Sequence, residues 1–191
     1  MPVDSELHKA AKDGLTDDCV SILSEGVIDV NALGAQNRTA LHRALGGGFP
    51  ECAKALMDQG ADPAKVDQMK RTSLHWAVMA TGGSEDDVLK CVDLLFTAGV
   101  GKDMINKPSK SQSTPLHCAI TSGRESLARY LLEAGADPSL QDEDGKTAQA
   151  LAKEAGMKEL FKAPGRRTST AGKKGGFFSL RRASRADEVS L

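Results

Sequence analysis

A short pattern recurs along the chain with a nearly constant period. The hydroxyl residue that begins the pattern recurs at steps of 34, 33, 42 and 33 residues. The five copies are SELHKA (5–10), RTALHRA (38–44), RTSLHWA (71–77), STPLHCA (113–119) and the divergent KTAQALA (146–152). A period of this length predicts a repeat architecture, in which each unit buries its apolar face only against its neighbours.

A second landmark, a glycine-containing segment after an apolar helical stripe, ends most copies. Its forms are SEGVIDVN (24–31), DQGADP (58–63), TAGVGKD (97–103) and EAGADP (133–138). Between the two landmarks lies a glycine that predicts a turn, at Gly14, Gly48, Gly82, Gly123 and Gly156. Each unit therefore predicts two helices joined by a turn. The third copy is longer, with an insertion around TGGSED (81–86) and about three further residues before Thr114.

The combination of T-P-L-H-x-A with G-A-D-P resembles the ankyrin repeat family over residues 2–162. The resemblance implies an all-α fold, an ankyrin-repeat solenoid of stacked helix-turn-helix units with β-turn or hairpin fingers. The ankyrin repeat domain is then expected at 1–163. Its repeats would cover about 2–34, 35–67, 68–109, 110–142 and 143–162. Residues 164–191 are rich in Gly, Ser and Arg, and we expect a disordered basic tail.

The hydroxyl and the histidine of the motif predict structural roles. Thr39, Thr72 and Thr114 are placed as helix N-caps, each worth about 1 kcal/mol. All four histidines lie three residues after the hydroxyl, at His8, His42, His75 and His117. Stacked helices lie about 8–10 Å apart, too far for equivalent imidazoles to share one metal ion. We therefore expect these imidazoles to hydrogen-bond backbone near their own cap and the next finger, and we expect no metal or other cofactor.

The sequence does not favour catalysis. His117 and Cys118 suggest a base and a nucleophile, but adjacent helical residues point about 100° apart. The glycines at 46–48 lack the lysine of a phosphate-binding loop. We therefore predict that the protein is not an enzyme. The four cysteines lie among apolar helical residues and are interpreted as buried, reduced side chains; they are Cys19, Cys52, Cys91 and Cys118.

The resemblance implies a groove lined by the fingertips and the exposed ends of the first helices, which binds other proteins. The candidate partner-binding residues in this groove are Arg38, Gln68, Met69, Arg71, Met79, Lys110, Ser111 and Thr121. Arg38, Arg71 and Lys110 would form a basic row suited to an acidic, partly apolar protein segment. The alternative is that these charges only keep the surface hydrated.

A tryptophan, an inserted segment and two finger residues carry further expectations about this surface. Trp76 is interpreted as a core residue rather than a binding residue. The inserted segment at 80–87 is a second candidate recognition feature. Lys70 and Gln112 occupy a finger position that needs a left-handed backbone, so we expect the fingers at 64–71 and 104–113 to be less regular than the consensus.

The tail contains two similar basic segments, RRTS (166–169) and RRAS (181–184). Both resemble the target of basophilic protein kinases, with Ser169 and Ser184 as candidate phosphorylation sites. Between them lies GGFFSL (175–180), which could be a docking motif, a short membrane contact or an apolar patch that folds back on the last repeat.

These observations together favour an intracellular, monomeric protein-binding adaptor, scaffold or regulatory inhibitor in the cytoplasm or the nucleus. The net charge of −1 argues against nucleic acid as a partner. No apolar run approaches the roughly 18 residues of a membrane span. The alternatives are a dedicated regulatory subunit of an enzyme complex, or tethering to a membrane surface through Phe177 and Phe178.

Overall fold

The computed structural model describes residues 3–157 and 159–161. In this part of the chain the regular secondary structure is helical, with two isolated β-bridges, Val66 with Thr72 and Gln141 with Thr147. A 3₁₀ turn spans Ala35–Asn37. The α-helices are α1 Glu6–Lys12, α2 Thr16–Ser24, α3 Ala40–Gly47, α4 Pro50–Asp58, α5 Ser73–Val78, α6 Glu85–Thr97, α7 Gly101–Met104, α8 Pro115–Thr121, α9 Glu125–Glu133 and α10 Ala148–Glu154.

The helices form two layers. The first helices of successive repeats, α1, α3, α5, α8 and α10, pack against one another in that order. The second helices α2, α4 and α6 pack in a parallel row. Tyr130 of α9 continues that row, because its hydroxyl donates to Asp93 of α6 at 2.5 Å and its ring meets Phe96 edge-on at 5.7 Å. This arrangement confirms the predicted ankyrin-repeat solenoid.

The repeated apolar residues of the motif form the core between the layers. The motif leucines Leu7, Leu41, Leu74 and Leu116 are fully buried. The motif alanines are buried as well, and their small side chains let neighbouring first helices approach closely; they are Ala10, Ala44, Ala77, Ala119 and Ala152. A fully buried leucine contributes about 1.5–3 kcal/mol, so this column accounts for much of the attraction between repeats.

The third repeat differs from the others at its inter-helix turn. Helix α5 is short, and the turn runs from Met79 to the α6 N-cap Ser84. The left-handed glycine of this turn is Gly83, at φ 71°, and the predicted turn glycine Gly82 lies beside it in the same turn. The turn is not a free loop: Thr81 N–H donates to Gly46 O at 3.0 Å, and Arg124 donates to Ala80 O at 2.6 Å. The candidate recognition segment 80–87 is therefore anchored at its start.

The four fingers share one closing hydrogen bond and one left-handed residue, which contradicts the expectation of irregular second and third fingers. The first finger differs in one respect, since its third residue, Gln36, is also left-handed, at φ 60°, within the 3₁₀ turn. In each finger the N–H of the first residue donates to the carbonyl of the fifth at 2.8–3.0 Å: Gly34 to Arg38, Asp67 to Arg71, Ser109 to Ser113 and Asp142 to Lys146. The fourth residue is left-handed in all of them: Asn37 at φ 56°, Lys70 at 57°, Gln112 at 56° and Gly145 at 72°. The hydrogen bonds of the turn outweigh the strain of about 1–2 kcal/mol that a side chain brings there.

Candidate protein-binding surface

The fingertips are joined by backbone hydrogen bonds. The N–H of Gln68 donates to Gln36 O at 2.9 Å, that of Lys110 to Met69 O at 2.8 Å, and that of Glu143 to Ser111 O at 3.1 Å. Each bond links the second residue of one finger to the third residue of the finger before it. Because the backbone makes these bonds, the fingertip side chains can vary without altering the scaffold.

The histidines connect the first helices to the fingers. In α5, His75 Nδ1 accepts the N–H of Thr72 at 3.2 Å, and Nε2 lies 3.0 Å from Ser113 O in the next finger. His42 and His117 repeat this bridge, with Nε2 at 3.1 Å from Lys65 O and 3.3 Å from Lys146 O. The hydrogen-bond network therefore assigns the ring proton to Nε2 and a neutral imidazole. Burial lowers the pKa of His42 to about 4 and that of His75 to about 4.

Two predicted groove residues meet at an indole ring. The guanidinium carbons of Arg38 and of Arg71 each lie 4.5 Å from the centroid of the Trp76 ring. Trp76 is half-buried on α5 and packs against Gly46, where a Cβ would lie 2.8 Å from its Cε3. Arg38 and Arg71 occupy the same position in consecutive fingers, immediately before the threonine N-cap. The first-helix row and the fingers therefore share one cluster, which we call the Arg–Trp cluster: Arg38, Arg71 and Trp76.

The charge of Arg71 is neutralised within its own finger. Its Nε and one terminal nitrogen lie 2.8 and 2.7 Å from Asp67 Oδ2. The other oxygen of Asp67 accepts the N–H groups of Met69 and Arg71 at 2.8 and 2.9 Å. The Asp67 side chain is completely buried. Arg71 is thus held in place, and Asp67 has little capacity left for another cation.

Arg38 lacks the equivalent carboxylate, because Gly34 stands in the first finger where Asp67 stands in the second. A Cβ on Gly34 would lie 2.4 Å from Asp4 Oδ1, so Asp4 occupies that space. Asp4 accepts the N–H of Ala35 at 2.8 Å and pairs with Arg43 at 2.5 Å. The side chain of Arg38 instead donates to the neutral side chain of Gln36. Burial, together with repulsion from Arg43 and Arg71, lowers the pKa of Arg38.

The other predicted groove residues lie beside this cluster along the fingers and the first helices. Met69 is 44% exposed, Gln68 and Lys110 are exposed, and Met79 is half-buried. The hydroxyls of Ser111 and Thr121 are engaged, with Ser109 at 2.9 Å and with His117 O at 3.0 Å. The structure thus joins Arg38 and Arg71 through Trp76, whereas Lys110 belongs to the next fingertip.

Sequence reasoning missed Arg43 as a candidate for this surface. It interpreted Trp76 as a core residue, and the structure places Trp76 half-buried, packed against the core and in contact with the two arginines. Arg43 and Trp76 both occupy the variable position after the motif histidine, and this position faces the fingers. Cys118 has the same place in α8 and lies near Arg71, although burial dominates and raises the pKa of its thiol to about 11. The sequence does indicate this position, because the residue changes from repeat to repeat whereas the histidine before it and the alanine after it recur in the first four copies.

The described residues give no indication of a metal centre. Among them, no group of three or more His, Cys, Asp or Glu side chains could hold a metal ion. The candidate sites Ser169 and Ser184 lie outside the residues that the structure describes, as does the remainder of the predicted tail.

A family model for ankyrin repeats matches the chain in three copies, at residues 7–104, 68–142 and 84–163. The chain therefore belongs to the ankyrin repeat family, whose repeats are protein–protein interaction modules. The match covers the two helix layers and the fingers that carry the Arg–Trp cluster.

Proteins that are similar to this chain in sequence have names that are unrelated to one another. The E3 ubiquitin-protein ligase KEG of Arabidopsis thaliana is 35% identical over 106 residues, which is 55% of this chain and 6% of the ligase. A Caenorhabditis elegans homologue of transient receptor potential cation channel subfamily A member 1 is 29% identical over 160 residues, 84% of this chain and 12% of the channel. The mouse B-cell lymphoma 3 protein homologue is 28% identical over 148 residues, 77% of this chain and 31% of that protein. This chain thus spans less than a third of each of these three relatives.

In the described part of the chain, no helix has both the length and the apolar character needed to cross a membrane.

Proposed function

We propose that this chain is a non-catalytic adaptor or regulatory inhibitor that binds a partner protein on the surface between its fingers and its first helices. The observation that carries the proposal is the recurring backbone hydrogen bonding within and between the fingers, which supports side chains that do not repeat. Gln68, Met69 and Lys110 project from this backbone into solvent. A surface that is rigid in its backbone loses little conformational entropy on binding.

A paired-variant capture experiment tests this surface. The finger variant carries Arg38→Glu and Lys110→Glu. The control variant carries Lys54→Glu and Lys90→Glu, which reverse two exposed charges on the second helices α4 and α6. Partners captured by the wild-type protein and quantified by mass spectrometry should be lost from the finger variant and retained by the control. Equal retention by the two variants would contradict the proposal.

We further propose that the protein acts in the cytoplasm or nucleus as a monomer that engages its partners substoichiometrically. The alternative is a dedicated subunit of one enzyme complex. Size-exclusion chromatography of the endogenous protein separates the two. A single stoichiometric complex would favour the subunit, and several assemblies would favour the adaptor.

We also propose that phosphorylation of Ser169 and Ser184 regulates partner binding. Seven Lys and Arg residues against two acidic residues between 165 and 191 make this segment basic. Two phosphates would remove about 3–4 units of positive charge.

Liposome pelleting of the full chain, with and without Phe177→Ser and Phe178→Ser, tests the competing membrane role. Binding that depends on the two phenylalanines would favour tethering to a membrane surface.

A further inference from the structure

The Arg–Trp cluster has more positive than negative charge. Arg38 and Arg71 belong to the cluster and Arg43 acts on it from the neighbouring helix α3; Asp67 compensates Arg71, and Asp4 compensates Arg43. Within the described residues, no carboxylate lies within ion-pair distance of Arg38, and Asp67 and Asp4 act on it only at longer range. One positive charge is therefore left without a partner beside a half-buried aromatic ring.

The polar atoms around Arg38 are short of acceptors. In the described part of the chain, Nε of Arg38 and Nε1 of Trp76 are both buried N–H donors without a hydrogen-bond partner. The acceptor that does reach the Arg38 side chain is the amide oxygen of exposed Gln36. Leaving donors unsatisfied costs about 1–3 kcal/mol each. A ligand that brings a negative charge and acceptor oxygens to the accessible part of the half-buried Arg38 side chain would complement its uncompensated charge.

The stacking on Trp76 orients both guanidinium groups before any partner arrives. A cation over an indole face is worth about 0.5–2 kcal/mol, and it leaves the edge of the guanidinium open to hydrogen bonds. The Asp67 pair additionally restrains Arg71. Less side-chain entropy is therefore lost when an anion binds there than at a free surface arginine.

We propose that Arg38, Arg71 and Trp76 form the docking site for an aspartate or glutamate side chain in an acidic segment of a partner protein. The proposal rests on the proposed function and specifies the class of partner. A monovalent carboxylate matches the single uncompensated charge. Nucleic acid fits less well, because phosphate-backbone binding draws on several cations and the chain has a net charge of −1. Met69, exposed on the neighbouring fingertip, offers an apolar contact for the residues flanking the carboxylate.

The experiment is an unbiased selection of 12-residue peptides from a random displayed library on the full chain. The expected result is enrichment of peptides that contain Asp or Glu. Trp76 is the only tryptophan in the chain, so its emission reports directly on this site. Each selected peptide should change Trp76 emission on titration, and Arg38→Gln should weaken its binding at least 10-fold.

The matched control is Arg129→Gln, which also removes one positive charge but from exposed α9, where Arg129 pairs with Glu125. It should change affinity less than 2-fold. Equal losses in the two variants, unchanged Trp76 emission in the wild-type protein, or no binding peptides would overturn the proposal. If the selected peptides are neutral or apolar and Met69→Asp weakens their binding, the acidic class of partner is wrong but the proposed function stands. If no finger substitution weakens the binding of the selected peptides, the proposed docking site and the proposed function are both wrong.

Discussion

Arg71 and Asp67 form a buried ion pair inside one finger, with the guanidinium Nε and a terminal nitrogen at 2.8 and 2.7 Å from the same carboxylate oxygen. Arg38 has the equivalent position one repeat earlier and stacks on the same indole, yet no carboxylate pairs with it among the described residues. Two identical residues at one repeat position therefore play different roles.

Substitution by glutamine should separate these roles. Arg71→Gln leaves Asp67 buried without its counter-charge, and we expect the free energy of unfolding to fall by about 2–4 kcal/mol. Arg38→Gln removes a desolvated cation that is repelled by its neighbours, and this relief offsets the lost contact with the indole ring, so we expect a change within about 0.5 kcal/mol. Urea denaturation measures both. Equal destabilisation by the two variants would show that Arg38 is as structural as Arg71.

The buried imidazoles predict a loss of stability in mild acid. The pKa of His42 and that of His75 are about 4 in the folded chain, against about 6.5 when unfolded. Because the folded pKa is depressed, the unfolded state takes up protons first. The stabilisation is complete above pH 6.5 and is lost as the pH falls from there towards 4. Between pH 7.5 and 5.5 we expect a loss of about 1 kcal/mol for each histidine, or about 2 kcal/mol for the two.

The measurement is the urea midpoint at the two pH values. A matched variant, His75→Gln, should show roughly half the pH dependence, since one of the two groups no longer titrates. An unchanged midpoint in the wild-type protein between pH 7.5 and 5.5 would rule out buried neutral imidazoles.

At the left-handed finger position, introducing a glycine should stabilise the protein and removing a glycine should destabilise it. Lys70 is exposed at φ 57°, and Lys70→Gly should raise the free energy of unfolding by about 0.5–1 kcal/mol. At the equivalent position, Gly145 has φ 72° and open space around an added Cβ, so Gly145→Ala tests backbone strain alone. It should cost about 1 kcal/mol. If the two variants change the thermal midpoint in the same direction, strain does not govern this position.

The thiols should be inert in the folded protein. Burial raises the pKa of Cys19, and it raises the pKa of Cys52 to about 12, that of Cys91 to about 12 and that of Cys118 to about 11. Since the thiolate is the reactive form, Ellman's reagent at pH 7.5 should label less than one thiol per chain within minutes, and all four in denaturant. Rapid labelling abolished by Cys118→Ser would instead identify an activated cysteine beside His117.

The two basic tail motifs predict phosphorylation at defined serines. Incubation of the full chain with cyclic-AMP-dependent protein kinase should add phosphate to Ser169 and Ser184, because paired arginines complement an acidic substrate groove. Intact-mass and peptide mass spectrometry locate the sites. The control carries Arg166→Ala, Arg167→Ala, Arg181→Ala and Arg182→Ala and should gain none. Absence of phosphate on both serines of the wild-type chain would remove the proposed regulation.

The repeat could be predicted because each motif residue has a role that depends mainly on its local position in a helix or turn. A hydroxyl caps a helix start, a leucine fills the inter-repeat core, and an alanine permits close helix approach wherever these residues occur. The finger conformation at Lys70 and Gln112 could not be predicted in this way. Local strain argues against it there, and hydrogen bonds that close the turn and join it to the neighbouring finger decide the outcome.

The sequence by itself determined the period of the repeats, the two helices of each of the first four units and the buried histidines. Only the tertiary structure decided which arginine has no paired carboxylate among residues 3–157 and 159–161. Asp67, Asp4 and Arg43 belong to different turns and helices, and the stacking of repeats sets the distances among them. Coulomb energies depend on those distances and on burial, so Arg38 and Arg71 differ although their places in the repeat are the same.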